Sequence, residues 1–413
     1  MRILLYMGNG GVVNSAGGAE KVLCNIANEM TERGHEVTIL CDDMESGKPF
    51  YPLHDQVKFI NINGTGKKIA GITVPQYLKI IREVTRPIRK TFLAPWFPDP
   101  VGMLVHPVKA IRVQFVIEQI KPDVIIPFFI DDMYLLSLIK ELDVPTILMI
   151  HGSPHVSLHD GLRKEKKSLT KCHCVQVLLP GYVKSIDKEF PGIKTVVIPN
   201  TVPQVGNHET ADLCRIKDNY RITMLARLDK DKQQHLLIKA FAAIANDYPQ
   251  WQVDLYGNEY TVGYEVKLKQ LIRHLHLEHR VFLRGATEKP LDAMKESDIF
   301  AFPSRYEGFP LALTEAMSVG LPCVGLKSAS AVNELIVDDD NGLLAENNEA
   351  DFAAKLKLLM DDRELRIRLG ANGREFVKQF APQPIWDQWE KLLYETTGHP
   401  FPQPQLQIEQ KAA

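Results

Sequence analysis

Two glutamates eight residues apart, Glu307 and Glu315, lie inside the segment PSRYEGFPLALTEAMSVGLP at 303–322. Gly308 followed by Pro310 marks a helix start. The first N–H groups of that helix, from Phe309 to Ala312, then have no intrahelical acceptor and point at whatever lies in front of them. Such an end carries the positive pole of the helix and holds an anion without any side chain. Glu307 stands just before it, in reach of a neutral polyol. Glu315 stands about one and a half turns in, reaching back toward the same pocket. Two acids beside a helix N-terminus suit hydrogen bonds to hydroxyl groups, one set on a sugar and one on a ribose. Metal ligation there would crowd the helix dipole. Taken singly, Glu315 also fits an ordinary exposed helix residue.

A second group follows the apolar run ITMLA at 222–226: Arg227, then Lys232. An arginine fork and a lysine point charge, both at a strand end, can clamp two phosphates. Lys230 reads as part of a solvated charge run. A third group is the glycines after the first apolar run, Gly8, Gly10, Gly11, Gly17 and Gly18. Gly8-Asn9-Gly10 supplies G-x-G, but Val13 occupies the third position of a dinucleotide fingerprint. Glycines still let backbone approach a phosphate. His151 ends the run PTILMI and precedes Gly152. It reads either as a structural histidine or, from its strand-end position, as a ligand.

The elements that must hold these groups follow a strand–helix rhythm. Strands are expected at 2–7, 37–41, 123–127, 145–150, 174–179 and 195–198, with a helix over 19–33. The rhythm restarts with strands at 222–226, 252–256, 281–284, 298–302 and 322–325. Helices at 233–247, 263–276, 311–319 and 350–361 lie between or after them. This predicts an α/β protein of two tandem Rossmann-like domains. The first spans 1–200 and the second 201–381. A hinge is expected near Asn200–Asn207, with Pro199, Pro203 and Gly206 around it. A C-terminal helix at 382–397 is expected to pack back on the first domain, and 398–413 to be a flexible tail. In such sheets ligands bind beyond the carboxyl ends of the strands, where all three groups fall.

Composition agrees with a globular chain of two or three domains: 413 residues, 45% apolar and 24% charged. The net charge of -2 excludes a dedicated nucleic-acid binder as a first reading. Residues 1–200 carry 24 basic and 20 acidic side chains, and the remainder 25 and 31. The basic excess of the first half points toward an anionic surface. Lys67, Lys68, Lys79, Arg82, Arg86, Arg89 and Lys90 face one acid, Glu83, across 67–92. Tyr77, Ile81, Val84 and Ile88 recur at helical spacing there, and Phe92, Trp96 and Phe97 follow. Arg163, Lys164, Lys166, Lys167 and Lys171 form a second basic cluster. A core helix with a solvated face gives the same pattern; docking on a membrane surface is the expectation. The six cysteines lack metal or disulfide spacing, Cys172-His173-Cys174 included. The short N-terminal apolar run predicts no leader, and no membrane-crossing helix is expected, since no apolar run reaches about 18 residues. A cytoplasmic chain, peripheral on the inner membrane face, is the expectation.

With these residues assembled, the chain resembles a retaining glycosyltransferase of the GT-B fold, family 4, over about residues 1–395. The motifs that carry the resemblance are Glu307 and Glu315 within SRYEGFPLALTEAMSVGLP, Gly17-Gly18-Ala19-Glu20 with Gly34-His35-Glu36, Ile198-Pro199-Asn200, Ala226-Arg227-Leu228 with Lys232, and Asn341-Gly342-Leu343-Leu344. The resemblance implies a nucleotide-sugar donor, with UDP the expected nucleotide, and a glycan or lipid-linked acceptor in surface polysaccharide assembly. It implies that Arg227 and Lys232 hold the diphosphate and Glu315 the ribose. Glu307 holds sugar hydroxyls, with the backbone of Gly308, Phe309, Pro310 and Leu311 over the phosphates. Gly17 and Gly18 close from the first domain, and His151 meets the donor sugar. Gly257-Asn258-Glu259 stands where the family has Gly-x-Gly, so of that pair only Gly257 is expected at the donor. Thr201 and Asn333 are further departures. No metal or other cofactor is implied. Two other readings stay open: a nucleotide-sugar epimerase on the same scaffold, and a non-catalytic nucleotide-sugar-binding protein.

Overall fold

The computed structural model describes residues 1–8, 12–13, 17–43, 45–63, 75–89, 99–154 and 167–401. In the first half, β1 (Arg2–Met7) is buried from Ile3 onward. It is an inner strand, paired in parallel with β2 (Glu36–Cys41) on one side and β4 (Val124–Pro127) on the other. Strands covered on both faces read as unbroken apolar runs, and RILLYM is one. β3 (Lys58–Asn61) adds an edge beside β2. The sequence reading had no strand there: KFIN is short and only half buried, so it lacks the apolar run that betrays an inner strand. β5 (Ile147–Met149), β6 (Cys174–Val177) and β7 (Thr195–Val197) form a second parallel group. An isolated parallel bridge, Ile125 to Thr146, joins it to β4. The first-half order is thus β3-β2-β1-β4, continued by β5-β6-β7.

The second half repeats the plan. β8 (Tyr220–Leu225), β9 (Trp251–Tyr256), β10 (Val281–Gly285), β11 (Ile299–Phe302), β12 (Cys323–Leu326) and β13 (Leu343–Ala345) lie in the order β10-β9-β8-β11-β12-β13. In both halves the third, second, first and fourth strands are neighbours. The order therefore reverses between the first and fourth strands, and a crevice opens at the carboxyl ends there.

The helices of the first half include α1 (Gly18–Glu32), α2 (Gln76–Arg89), α3 (Pro100–Ile120) and α4 (Ile130–Leu136). Those of the second include α5 (Gln234–Ala242) and α6 (Leu311–Ser318), and α7 (Pro382–Thr397) ends the chain. The chain crosses between halves twice, near 199–206 and at Ala381, and the Val202 N–H donates to the Phe380 carbonyl at 2.8 Å to join the crossings. After the second crossing, Ile385, Trp386, Trp389, Leu392 and Leu393 of α7 are buried with Ile3, Ile26 and Ile39 of the first half. Arg33, at the end of α1, pairs with Glu29, Asp387 and Glu390 and fastens that helix from outside. Ile150, Leu179 and Tyr182 of the first half share one continuous buried cluster with Phe309 and Leu313 of the second. The two halves are in contact along the crevice.

Candidate active site

The second-half crevice is spanned by one ion pair. Lys232, from the turn after β8, puts its Nζ 2.6 Å from Glu307 Oε1, from the turn after β11. Both side chains are largely buried. The turns are locked together by backbone as well: the Arg305 N–H donates to the Asp231 carbonyl at 2.8 Å, and Gln233 Nε2 donates to the Pro303 carbonyl at 2.8 Å. Gln233 takes a left-handed conformation, φ 51°, to end the short 3-10 turn at Lys230–Lys232 and start α5. Arg227, at the end of β8, lies with its guanidinium carbon 3.9 Å from the centre of the Tyr260 ring. That contact fixes the fork at the crevice mouth without using up its donors.

Glu307 is also held through its backbone. Tyr182 Oη, from the first half, donates to the Glu307 carbonyl at 2.8 Å, and Ser330 Oγ, from the second, donates to it at 3.2 Å. Pro310 caps α6 in extended conformation and the helix proper begins at Leu311, where the sequence pattern over 311–319 starts. The Leu313 and Thr314 N–H groups turn back to the Pro310 carbonyl. The Leu311 and Ala312 N–H groups, two residues and one residue before the first N–H that bonds back to Pro310, have no acceptor within the helix and form the anion-attracting end.

The first half meets this end with backbone. Gly17 is the N-cap of α1 in extended conformation. Gly18 faces α6: a Cβ there would lie 3.6 Å from Leu311 Cδ1. Lys21, on the first turn of α1, puts its Nζ 2.5 Å from Glu315 Oε1. Glu315 is therefore buried against the other half, and its reading as an ordinary exposed helix residue falls. Gly308 lies so close to the first half that an added Cβ would sit 1.8 Å from the His151 carbonyl oxygen. Only glycine permits that approach. Gly257, φ 144°, has a different constraint: its Cβ would sit 1.9 Å from the Ala226 carbonyl oxygen. The contact packs the ends of β8 and β9 directly behind Arg227.

His151 follows β5. Its ring stacks on Phe128 at 4.8 Å and meets Phe129 edge-on at 6.1 Å. Burial pushes its imidazolium down to about 4, so the ring is neutral near pH 7. Its Nε2 is buried and has no hydrogen-bond partner among the described residues. A polar atom left so costs free energy until a ligand or water meets it.

The site thus brings Lys232, Glu307 and the start of α6 together, with Arg227 beside them. Gly18, Lys21 and His151 come from across the crevice. Gly8 lies at the first-half crevice, its N–H donating to Asp132 Oδ1 at 2.9 Å, whereas Gly10 and Gly11 fall outside the described residues. Three residues that the sequence reading passed over belong here. Lys21 directly follows the Gly17–Glu20 motif and was legible from that adjacency. Tyr182 and Tyr260 act through a hydroxyl and a ring face that no local pattern advertises. A cavity of about 340 Å³ adjoins the site from the hinge side, lined by Lys21, Asn25, Asn200, Leu311, Glu315 and Trp386 among others. Arg227, Lys232, Glu307 and His151 do not line it. Among the described residues no group of three His, Cys, Asp or Glu side chains is arranged to hold a metal ion.

Residues 16–203 match the family model for Glycosyltransferase Family 4, and residues 210–376 match that for Glycosyl transferases group 1. An uncharacterized glycosyltransferase of Haemophilus influenzae is 23% identical over 384 residues, 92% of this chain and 97% of that protein. The N-acetylgalactosamine-N,N'-diacetylbacillosaminyl-diphospho-undecaprenol 4-alpha-N-acetylgalactosaminyltransferase of Campylobacter jejuni is 33% identical over 163 residues, 39% of this chain and 42% of that one. The structure of Anabaena HepE in complex with UDP and glucose superposes with a TM-score of 0.68 at 20% identity, covering 95% of this chain and 99% of that one. Strand order, the facing crevices and the two matched halves agree: the chain belongs to the GT-B glycosyltransferases, with a family 4 domain followed by a group 1 domain.

Proposed function

We propose that this glycosyltransferase is retaining and metal-independent, and that it moves a sugar from a UDP-sugar to a glycan or lipid-linked acceptor in surface polysaccharide assembly at the inner face of the membrane. The observation that carries the reading is the Lys232–Glu307 pair, 2.6 Å across the crevice at the start of α6. A donor diphosphate replaces Glu307 as the partner of Lys232, and Arg227 and the Leu311 and Ala312 N–H groups complete its cradle. Glu307, released, accepts hydrogen bonds from sugar hydroxyls. Glu315 turns to the ribose, and His151 Nε2 gains a sugar hydroxyl as its missing partner. The Gly17 and Gly18 backbone, with the Gly308–Leu311 segment, covers the phosphates.

The C1–oxygen bond to the diphosphate breaks as the acceptor hydroxyl forms its bond to C1 on the same face. The departing phosphate oxygen takes the acceptor proton. Arg227, Lys232 and the helix end neutralise the negative charge that grows on the leaving diphosphate, the type of term that weighs most in such a transfer. Glu307 positions the sugar and forms no covalent bond to it, unlike the nucleophile of a retaining hydrolase. The UDP choice is supported by the UDP in the HepE complex, and the lipid-linked acceptor by the undecaprenol-linked substrate named for the Campylobacter relative.

A panel of UDP-, GDP- and ADP-sugars read by thermal shift tests the donor; a saturating one raises stability by about 2.7 kcal/mol at 100 times its dissociation constant. The matching sugar is then incubated with acceptor extract, with and without chelator, and the product anomer read by NMR. Retention with an unchanged rate under chelator is the expected result. Inversion, strict metal dependence, or conversion of the donor to an isomer without any acceptor overturns the reading.

A further inference from the structure

The basic stripe at 76–89 could have been a core helix with a wet face. The structure excludes that: Tyr77 is 61% exposed and Val84 69%, and Ile80 and Ile81 are also exposed. α2 instead packs inward through Leu78, against Val101 and Val105 of α3. α3 is itself two-faced. Val113, Val116 and Ile117 are buried against the first-half sheet, while Met103, Ile111 and Phe115 stand out, Ile111 at 65% and Phe115 at 59%. α3 is the one described helix long and apolar enough to cross a membrane by length and composition, although it holds no unbroken apolar run of that length. Its packing against the sheet makes it a surface helix. The two neighbouring helices thus expose large apolar side chains that nothing in the chain covers among the described residues.

The charge around them is predominantly positive. α2 carries Lys79, Arg82, Arg86 and Arg89 against Glu83 alone. Lys79, Arg82 and Arg86 are exposed, Arg82 pairing with Asp99 and Arg86 with Glu83. Apolar side chains flanked by cations match a surface with anionic headgroups above an acyl layer. A protein partner would leave these cations facing a chosen set of acids instead. Position agrees. His106 of α3 meets the Tyr134 ring of α4 at 5.6 Å, and α4 starts directly after Phe129, whose ring meets His151. α3 therefore lies against α4, which starts at the crevice beside Phe129 and His151.

We infer that the exposed face of α2 and α3 docks the enzyme on an anionic lipid bilayer, so that a lipid-linked acceptor enters the crevice past α3 and α4. This deepens the lipid-linked acceptor reading above and rests on it. Lys67, Lys68, Lys90, Phe92, Trp96, Phe97, Arg163, Lys164 and Lys166, expected from the sequence to extend this basic and aromatic surface, lie outside the described residues.

The test is co-sedimentation of the full chain with vesicles of phosphatidylcholine alone and with phosphatidylglycerol added. Binding should rise with the phosphatidylglycerol share and fall with salt. Val84→Asp with Ile111→Asp should weaken partitioning at least tenfold, and Lys79→Glu with Arg86→Glu should abolish the anionic preference. All four positions are exposed, so both variants should keep the wild-type melting temperature and the wild-type thermal shift with the donor nucleotide. That nucleotide readout separates the two proposals: a chain that binds donor but no vesicle defeats the docking face alone. Equal binding to both vesicle types, binding unchanged in Val84→Asp with Ile111→Asp, or self-association in ultracentrifugation that this variant removes would overturn the inference.

Discussion

The turn after the first strand of each half occupies the same topological place, and the two turns are built from opposite materials. After β8 come Arg227 and Lys232, side chains that carry fixed charge. After β1 the chain reaches α1 through Gly17 and Gly18, with a bare glycine as the cap. The same holds after the fourth strand and its neighbour. The second half presents Glu307 and the start of α6, and the first answers with the His151 carbonyl and a neutral ring. One scaffold thus yields a charged jaw and a backbone jaw. Lys21, reaching across to Glu315, is the exception, the one described cation that the first half sends into the contact by an ion pair to the acid motif. An anionic donor needs charge from one side only. The other side must come close, and closeness is what small residues supply.

The sharpest way to break that division is to remove charge from the charged jaw. Arg227→Ala should lower kcat by roughly 10² to 10³, the loss typical for one preorganised transition-state contact. Steady-state kinetics check it, and full activity would remove Arg227 from the account. Next comes closeness. Gly308→Ala puts a methyl 1.8 Å from the His151 carbonyl oxygen, so the halves must part. A loss of about 10² in kcat/KM is expected from such a displacement, with an expanded small-angle scattering profile. Lys21→Met tests the exception. It leaves Glu315 buried without its partner, and should cost about 1–2 kcal/mol of closure, discounted because Lys21 is partly exposed. Donor titration followed by scattering reads it.

His151 offers a smaller test by pH. Its folded value is depressed to about 4, whereas an unfolded histidine titrates near 6.5. Between those values the unfolded chain takes up a proton that the folded chain refuses. Stability is therefore complete above pH 6.5 and falls as pH drops through the window. His151→Asn should shrink the stability lost between pH 7 and pH 5 by about 2 kcal/mol in denaturant titrations. An unchanged loss would mean that the ring is reached by solvent. The smallest effect belongs to Gly18→Ala. Its methyl would only touch Leu311 at 3.6 Å, and activity should stay within about twofold.

The charged jaw was the more legible one in the sequence. Arg227, Lys232, Glu307 and the start of α6 all follow apolar runs that can only be inner parallel strands, so their place at the carboxyl ends follows from pattern alone. The backbone jaw was legible as glycines but not as distances. That Gly308 abuts His151 depends on how the two halves pack, and that Gly257 abuts Ala226 on how the ends of β8 and β9 meet, which no local spacing encodes. Tyr182 was invisible for the same reason, since its hydroxyl reaches a carbonyl 125 positions away. β3 escaped because an edge strand needs little apolar surface. The stripe on α2 was visible, yet helical spacing alone could not tell a core face from an outward one.

Titration calorimetry of UDP, GDP and ADP into the wild-type chain and into Lys232→Ala tests the central claim most directly. At least one diphosphate should bind the wild type, and Lys232→Ala should bind it at least tenfold more weakly, since the lysine that now holds Glu307 is the one that must exchange it for phosphate. Equal affinity in the two proteins, or no binding of any of the three nucleotides to the wild type, would contradict the account.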